Sequence, residues 1–151
     1  MLDALPGFHE RRRKDRVGRA IAALSYLIKH KAKDEHELAL VWALLGLEAL
    51  YGDSNVGLKA QLLGKSEAFL GPREVNKKKF GWMYDFRSRL IHGDVDLPFA
   101  HNDFDATPEF EGFWADLWEC ETLATAILLA TLQKLCLAKA YRLEFNYSVQ
   151  P

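Results

Sequence analysis

The stretch Phe80 to Gly93 reads F-G-W-M-Y-D-F-R-S-R-L-I-H-G, and its spacing settles the fold class. On a helix turning roughly 100° per residue, Phe80, Met83, Tyr84, Phe86, Leu90 and Ile91 form one broad apolar arc. Asp85, Ser88 and His92 line a neighbouring polar strip, and Gly93 stands where a helix commonly closes. Arg87 falls inside the apolar arc. A permanently charged guanidinium is costly on such a face unless an anion meets it. Its position therefore predicts a cleft or subunit seam that receives an anion. His92, whose imidazole can take or give a proton, lies about one turn away.

The rest of the chain carries the same period. A first helix is predicted from about His9 to Lys31, with Val17, Ile21, Leu24 and Ile28 at spacings of three or four. A second follows Asp34 as N-cap, with Glu35 and Glu37 in its first turn. It runs to about Tyr51 and is apolar on almost every side, which predicts the most enclosed position. Glu48, near its end, is an unusual acid in that company. A third helix covers about Val56 to Phe69, a fourth about Arg73 to Ile91, and a fifth starts near Glu109 and reaches toward Tyr141. Strand signals are poor throughout. The chain of 151 residues is read as one domain, all-α, a compact bundle of about five helices.

Composition is that of an ordinary globular protein, with 49 % hydrophobic and 27 % charged residues. The longest apolar run, around Leu123 to Leu132, reads as too short for the roughly 20 residues that span a bilayer. The N-terminal M-L-D-A-L-P-G-F-H-E-R-R-R-K lacks a signal-peptide apolar region, so a cytoplasmic protein without membrane contact is expected. Cys120 and Cys136 share one predicted helix about 24 Å apart in rise, too far for a disulfide, and read as buried thiols. The net charge of -1 hides a segregation. Residues 1–33 hold nine Lys or Arg against three acids, residues 73–89 six against two, and residues 94–121 nine acids with no Lys or Arg. The basic segments, with Arg11, Arg12, Arg13, Lys77, Lys78 and Arg89, suit a polyanion such as RNA. R-R-R-K equally suits a solvated helix start.

Arg87-x4-His92 with polar Ser88 after the arginine resembles the R-x4-to-6-H motif of the HEPN superfamily. The likeness extends to A-L-L-G-L-E-A-L-Y (Ala43 to Tyr51), a basic helix, and M-Y-D-F-R-S-R-L-I-H-G. That order is similar to the Apea-like HEPN branch associated with phage defence, over about Arg16 to Tyr141. The resemblance implies a metal-independent RNA endonuclease without a cofactor. It implies a homodimer whose motifs meet across the subunit seam, acting in defence or toxin–antitoxin biology. A cognate antitoxin or regulatory protein would be a further partner. Carried over, Arg87 would hold the scissile phosphate, Ser88 would fill the polar position after it, and His92 would be the acid–base group. Glu48, with Asp85 nearby, would support them.

Each feature also has a plainer reading. Arg87 and Glu48 suit an internal ion pair, and His92 suits a helix C-terminus. His92, Asp94 and Asp96 with His101, Asp103 and Asp105 alternate donors as a metal site would, but Asp-rich loops are mostly solvated turns. Trp82, Trp114 and Trp118 read as core or subunit-seam anchors ahead of base-stacking platforms. Trp82 and Phe86 widen the apolar arc to roughly 200°, which argues for a dimer seam. A catalytically silent helical dimer that binds RNA or a protein is the alternative function.

Overall fold

A computed structural model of the protein describes residues 15–53, 57–72, 77–95, 108–140 and 142–145. Within them lie five helices and no strand: α1 (Arg16–Lys31), α2 (His36–Tyr51), α3 (Leu58–Leu70), α4 (Lys77–His92) and α5 (Pro108–Leu137). The all-α bundle expected from the periodicity is the fold.

Helix ends follow local chemistry. Asp15 is extended, and its carboxylate accepts the Gly18 N–H at 2.6 Å, so it caps α1 at Arg16; the predicted stretch from His9 to Lys14 lies outside the described residues. Asp34 does not cap α2, contrary to expectation. It takes a left-handed φ of 57°, while the Glu35 N–H reaches back to the His30 carbonyl at 3.1 Å and closes α1. Glu35 occupies the cap position of α2 without a side-chain cap bond, because its carboxylate pairs with the His30 ring at 2.5 Å. Gly93, at φ 77°, ends α4 as its spacing predicts: the Asp94 N–H bonds the Arg89 carbonyl at 2.8 Å and the Gly93 N–H that of Leu90 at 3.4 Å. Lys139 (φ 51°) ends α5 four residues before the predicted Tyr141 region, with the Ala140 N–H on the Leu135 carbonyl at 2.9 Å. Leu143 then folds back into the core.

The core is built on α2. Ala39, Leu40, Ala43, Leu44, Leu47, Leu50 and Tyr51 are buried, as an all-round apolar helix demands. α1 packs antiparallel to it, with Tyr26 stacked on Trp42 at 4.4 Å and Arg16 donating to the Leu50 carbonyl at 3.2 Å. α5 runs in the same direction as α2: His36 meets Glu121 at 3.1 Å near one end, and the Tyr51 and Thr131 hydroxyls meet at 2.6 Å near the other. The three helices meet at Gly46. A Cβ there would lie 2.9 and 3.0 Å from the Leu128 methyls and 3.4 Å from Ala23 Cβ.

The apolar part of α5 is longer than the Leu123–Leu132 run read from the sequence. From Glu111 to Leu137 it is long and apolar enough to cross a membrane, by length and composition. Its threonines do not interrupt it, since Thr131 returns its hydroxyl to the Ile127 carbonyl at 2.8 Å. In the bundle, 44 % of its most apolar stretch is buried, and the buried Glu121 bonds Lys31 and His36.

Candidate functional site

α4 lies against the bundle through Phe80, Met83 and Phe86, all buried. This face is narrower than the predicted arc, because Tyr84 and Leu90 are half-buried and Ile91, at the helix end, is exposed. Phe86 is taken up inside the chain, with Trp82 at 6.0 Å and Phe113 of α5 at 5.9 Å. The apolar width that argued for a dimer seam is thus largely covered by the chain's own α5.

Arg87, placed by the sequence in the middle of the apolar arc, is half-buried. Its Nη2 lies 3.4 Å from Glu48 Oε1 of α2, with the two side chains 20 % and 18 % exposed. The ion pair weighed as the plainer reading therefore forms. It is a loose one. Arg87 Nε and Glu48 Oε1 are both buried, and neither makes a hydrogen bond. Burial pushes the Glu48 carboxyl above its ordinary range, against the downward pull of Arg87. The Tyr84 hydroxyl is pushed up as well, by burial first and then by Glu48. The guanidinium thus keeps one buried N–H without a partner, facing a carboxylate that burial makes reluctant to ionise.

Ser88 is half-buried and His92 is exposed as the last residue of α4. Five residues of helix separate Arg87 from His92 by about 7.5 Å of rise and about 140° of turn. The two groups of one chain therefore leave the helix in different directions. Asp85 is exposed and pairs with Lys59 of α3 at 2.6 Å, so its partner is not Arg87. Lys78 is exposed, and Arg89 is exposed with Nη2 3.4 Å from the Asp94 carbonyl. Lys77 opens α4, but its side chain lies outside the described residues, as do Arg11, Arg12 and Arg13. The loop positions Asp96, His101, Asp103 and Asp105 are also outside them. Among the described residues no three His, Cys, Asp or Glu side chains are grouped to hold a metal.

On α5 one anticipated pair and one unanticipated residue stand out. Trp114 and Trp118 are not core residues: they are 42 % and 59 % exposed. Beside them Glu121 is completely buried, bonded by Lys31 Nζ at 2.6 Å and His36 Nδ1 at 3.1 Å. The available signal was the same as for Glu48, an acid set within an apolar helix. Cys120 is buried, and burial, with Asp116 and Glu119 adding to it, pushes its thiol up to about 12. Cys136 is half-buried and free. Comparison with family models, curated proteins and solved structures finds no match to this chain.

Proposed function

We propose that the protein is an RNA endonuclease of the HEPN type that needs no metal for the cleavage step, acts as a homodimer, and works in the cytoplasm in defence against phage or as a toxin. The reading rests on the α4 motif and on one observation, the half-buried Arg87 whose Nε has no partner. In this mechanism Arg87 offers its fork to the non-bridging oxygens of a phosphodiester. A neutral His92 removes the proton from the 2′-hydroxyl, the 2′-oxygen attacks phosphorus, and the 5′-oxygen leaves after receiving a proton. The products are a 2′,3′-cyclic phosphate and a 5′-hydroxyl. Such proton transfer contributes roughly 10²–10⁴-fold. The divergence of Arg87 and His92 around α4 supports a paired arrangement, in which two copies supply two histidines to one groove. A catalytically silent RNA- or protein-binding dimer is favoured instead by the Arg87–Glu48 ion pair.

Purified protein with end-labelled RNA in EDTA distinguishes the two. Fragments ending in cyclic phosphate are expected, lost in His92→Ala with the circular dichroism spectrum unchanged and strongly reduced in Arg87→Lys. Salt-dependent RNA binding with no fragments between pH 6 and 8, or undiminished cutting by His92→Ala, overturns the nuclease reading.

A further inference from the structure

Trp114, Leu117 and Trp118 of α5 and His36 of α2 enclose a cavity of about 330 Å³. Its walls are almost wholly apolar, and two of them are indole rings that also face solvent. Its polar group is a positioned one. Glu121, fully buried behind the cavity, holds His36 Nδ1 at 3.1 Å and is itself bonded by Lys31 Nζ at 2.6 Å and, more weakly, by Thr125 Oγ1 at 3.4 Å. Burying a carboxylate in the middle of α5 costs more than a leucine would. What the carboxylate supplies is a fixed imidazole: with Nδ1 committed to Glu121, Nε2 is the ring atom left for a ligand.

An aromatic-walled cavity of this size with one oriented polar group is the usual form of a small-ligand site. Lys31, the last residue of α1, holds Glu121 from the other side and so takes part in fixing the ring. A ligand with a flat ring against the indoles and a hydrogen-bonding edge toward His36 satisfies both features.

We infer that this cavity binds a nucleobase, either of a free nucleotide or of an unstacked residue in an RNA strand, with the ring against Trp114 and Trp118 and its edge on His36. The site is separate from Arg87 and His92 and does not depend on cleavage. Phe113 touches both Phe86 (5.9 Å), the neighbour of Arg87, and Trp114 (5.2 Å), so the two regions are joined through one packed ring.

The test is a titration followed by tryptophan fluorescence with adenosine 5′-monophosphate, uridine 5′-monophosphate, ribose 5-phosphate and an eight-nucleotide RNA. Saturable quenching by the base-bearing probes and none by ribose 5-phosphate is expected. A mononucleotide binding as tightly as the octamer identifies the free nucleotide as the source, and much tighter octamer binding identifies the strand. Trp118→Ala should weaken binding about tenfold, with Trp118→Phe restoring most of it. His36→Ala should weaken it and change the preference between the two bases. Leu137→Ser, on an exposed residue at the other end of α5, should leave it unchanged. Trp118 is exposed, so its removal leaves the core intact, and circular dichroism verifies this. The inference is overturned if no base-bearing probe quenches, if ribose 5-phosphate quenches equally, or if Trp118→Ala binds as the wild type does.

Discussion

Adding one methyl group at Gly46 should destabilise the protein, although alanine is the better helix former. In an unobstructed helix interior the exchange gains about 1 kcal/mol. At Gly46 the new Cβ would stand 2.9 Å from one Leu128 methyl and 3.0 Å from the other. Ordinary contact starts near 3.4 Å, so Leu128 has to retreat by about 0.5 Å. It is fully buried and has no open side to retreat into, and Ala23 closes the gap on α1. Overpacking of this kind costs about 1–3 kcal/mol, which outweighs the propensity gain and leaves Gly46→Ala about 1 kcal/mol less stable than wild type. Gly64, mid-helix in α3 with nothing within 4 Å of its Cβ position, is the internal control, and Gly64→Ala should gain the full amount. Thermal melts at 222 nm should move by about 2–4 °C in opposite directions. A Gly46→Ala midpoint at or above wild type would refute the packing argument, because it would mean that α1, α2 and α5 do not meet at this point.

Two other expectations concern titrating groups. Lys65 and Arg16 hold the Asp53 carboxyl below its ordinary range, so Asp53 adds stability above that range, lost as pH falls through it. Burial raises Glu48, so its contribution has the opposite sign: stability falls as pH rises from the ordinary glutamate value into the raised range. Urea midpoints between pH 3 and 7 should therefore depend less on pH in Asp53→Asn and rise more steeply with pH in Glu48→Gln. Finally, with its thiol pushed up to about 12, Cys120 should resist iodoacetamide at pH 8 in the folded protein while Cys136 is alkylated first, as peptide mass mapping will record.

Periodicity carried the fold. Val17 and Leu24 of the predicted α1 row are buried while Ile21 is half-buried and Ile28 exposed, Phe80, Met83 and Phe86 of the α4 arc are buried, and Gly93 closes α4 as its position implied. Where the reading failed, two local rules competed. Asp34 has the composition of an N-cap but lies at the junction of two helices, and the backbone used it to end the first. Thr125 and Thr131 look polar in a window of sequence, yet a hydroxyl that bonds its own helix does not interrupt it. At the site, the Arg87–Glu48 approach was legible because both are charges in apolar helices. The pairing of Glu121 with Lys31 and His36 joins residues 85 and 90 positions apart, a distance no local pattern encodes. For Trp114 and Trp118 the choice between core and subunit seam stayed open for a related reason: helical spacing shows that they share a face, not whether the chain itself covers it.

The polar clips on α4 are light. Lys59–Asp85 and Lys79–Glu119 are exposed pairs, each worth about 0–1 kcal/mol, and the Arg87–Glu48 approach is unsaturated. The α1–α2–α5 foundation, by contrast, is riveted at both ends by buried Glu121 and by Tyr51 with Thr131. What holds the rod is therefore mainly the burial of Phe80, Met83 and Phe86, a single apolar strip without a buried polar rivet. Backbone amides of α4 should then exchange with solvent well before those of α2, and a polyanion wedged beneath Arg87 would need to dislodge only Glu48.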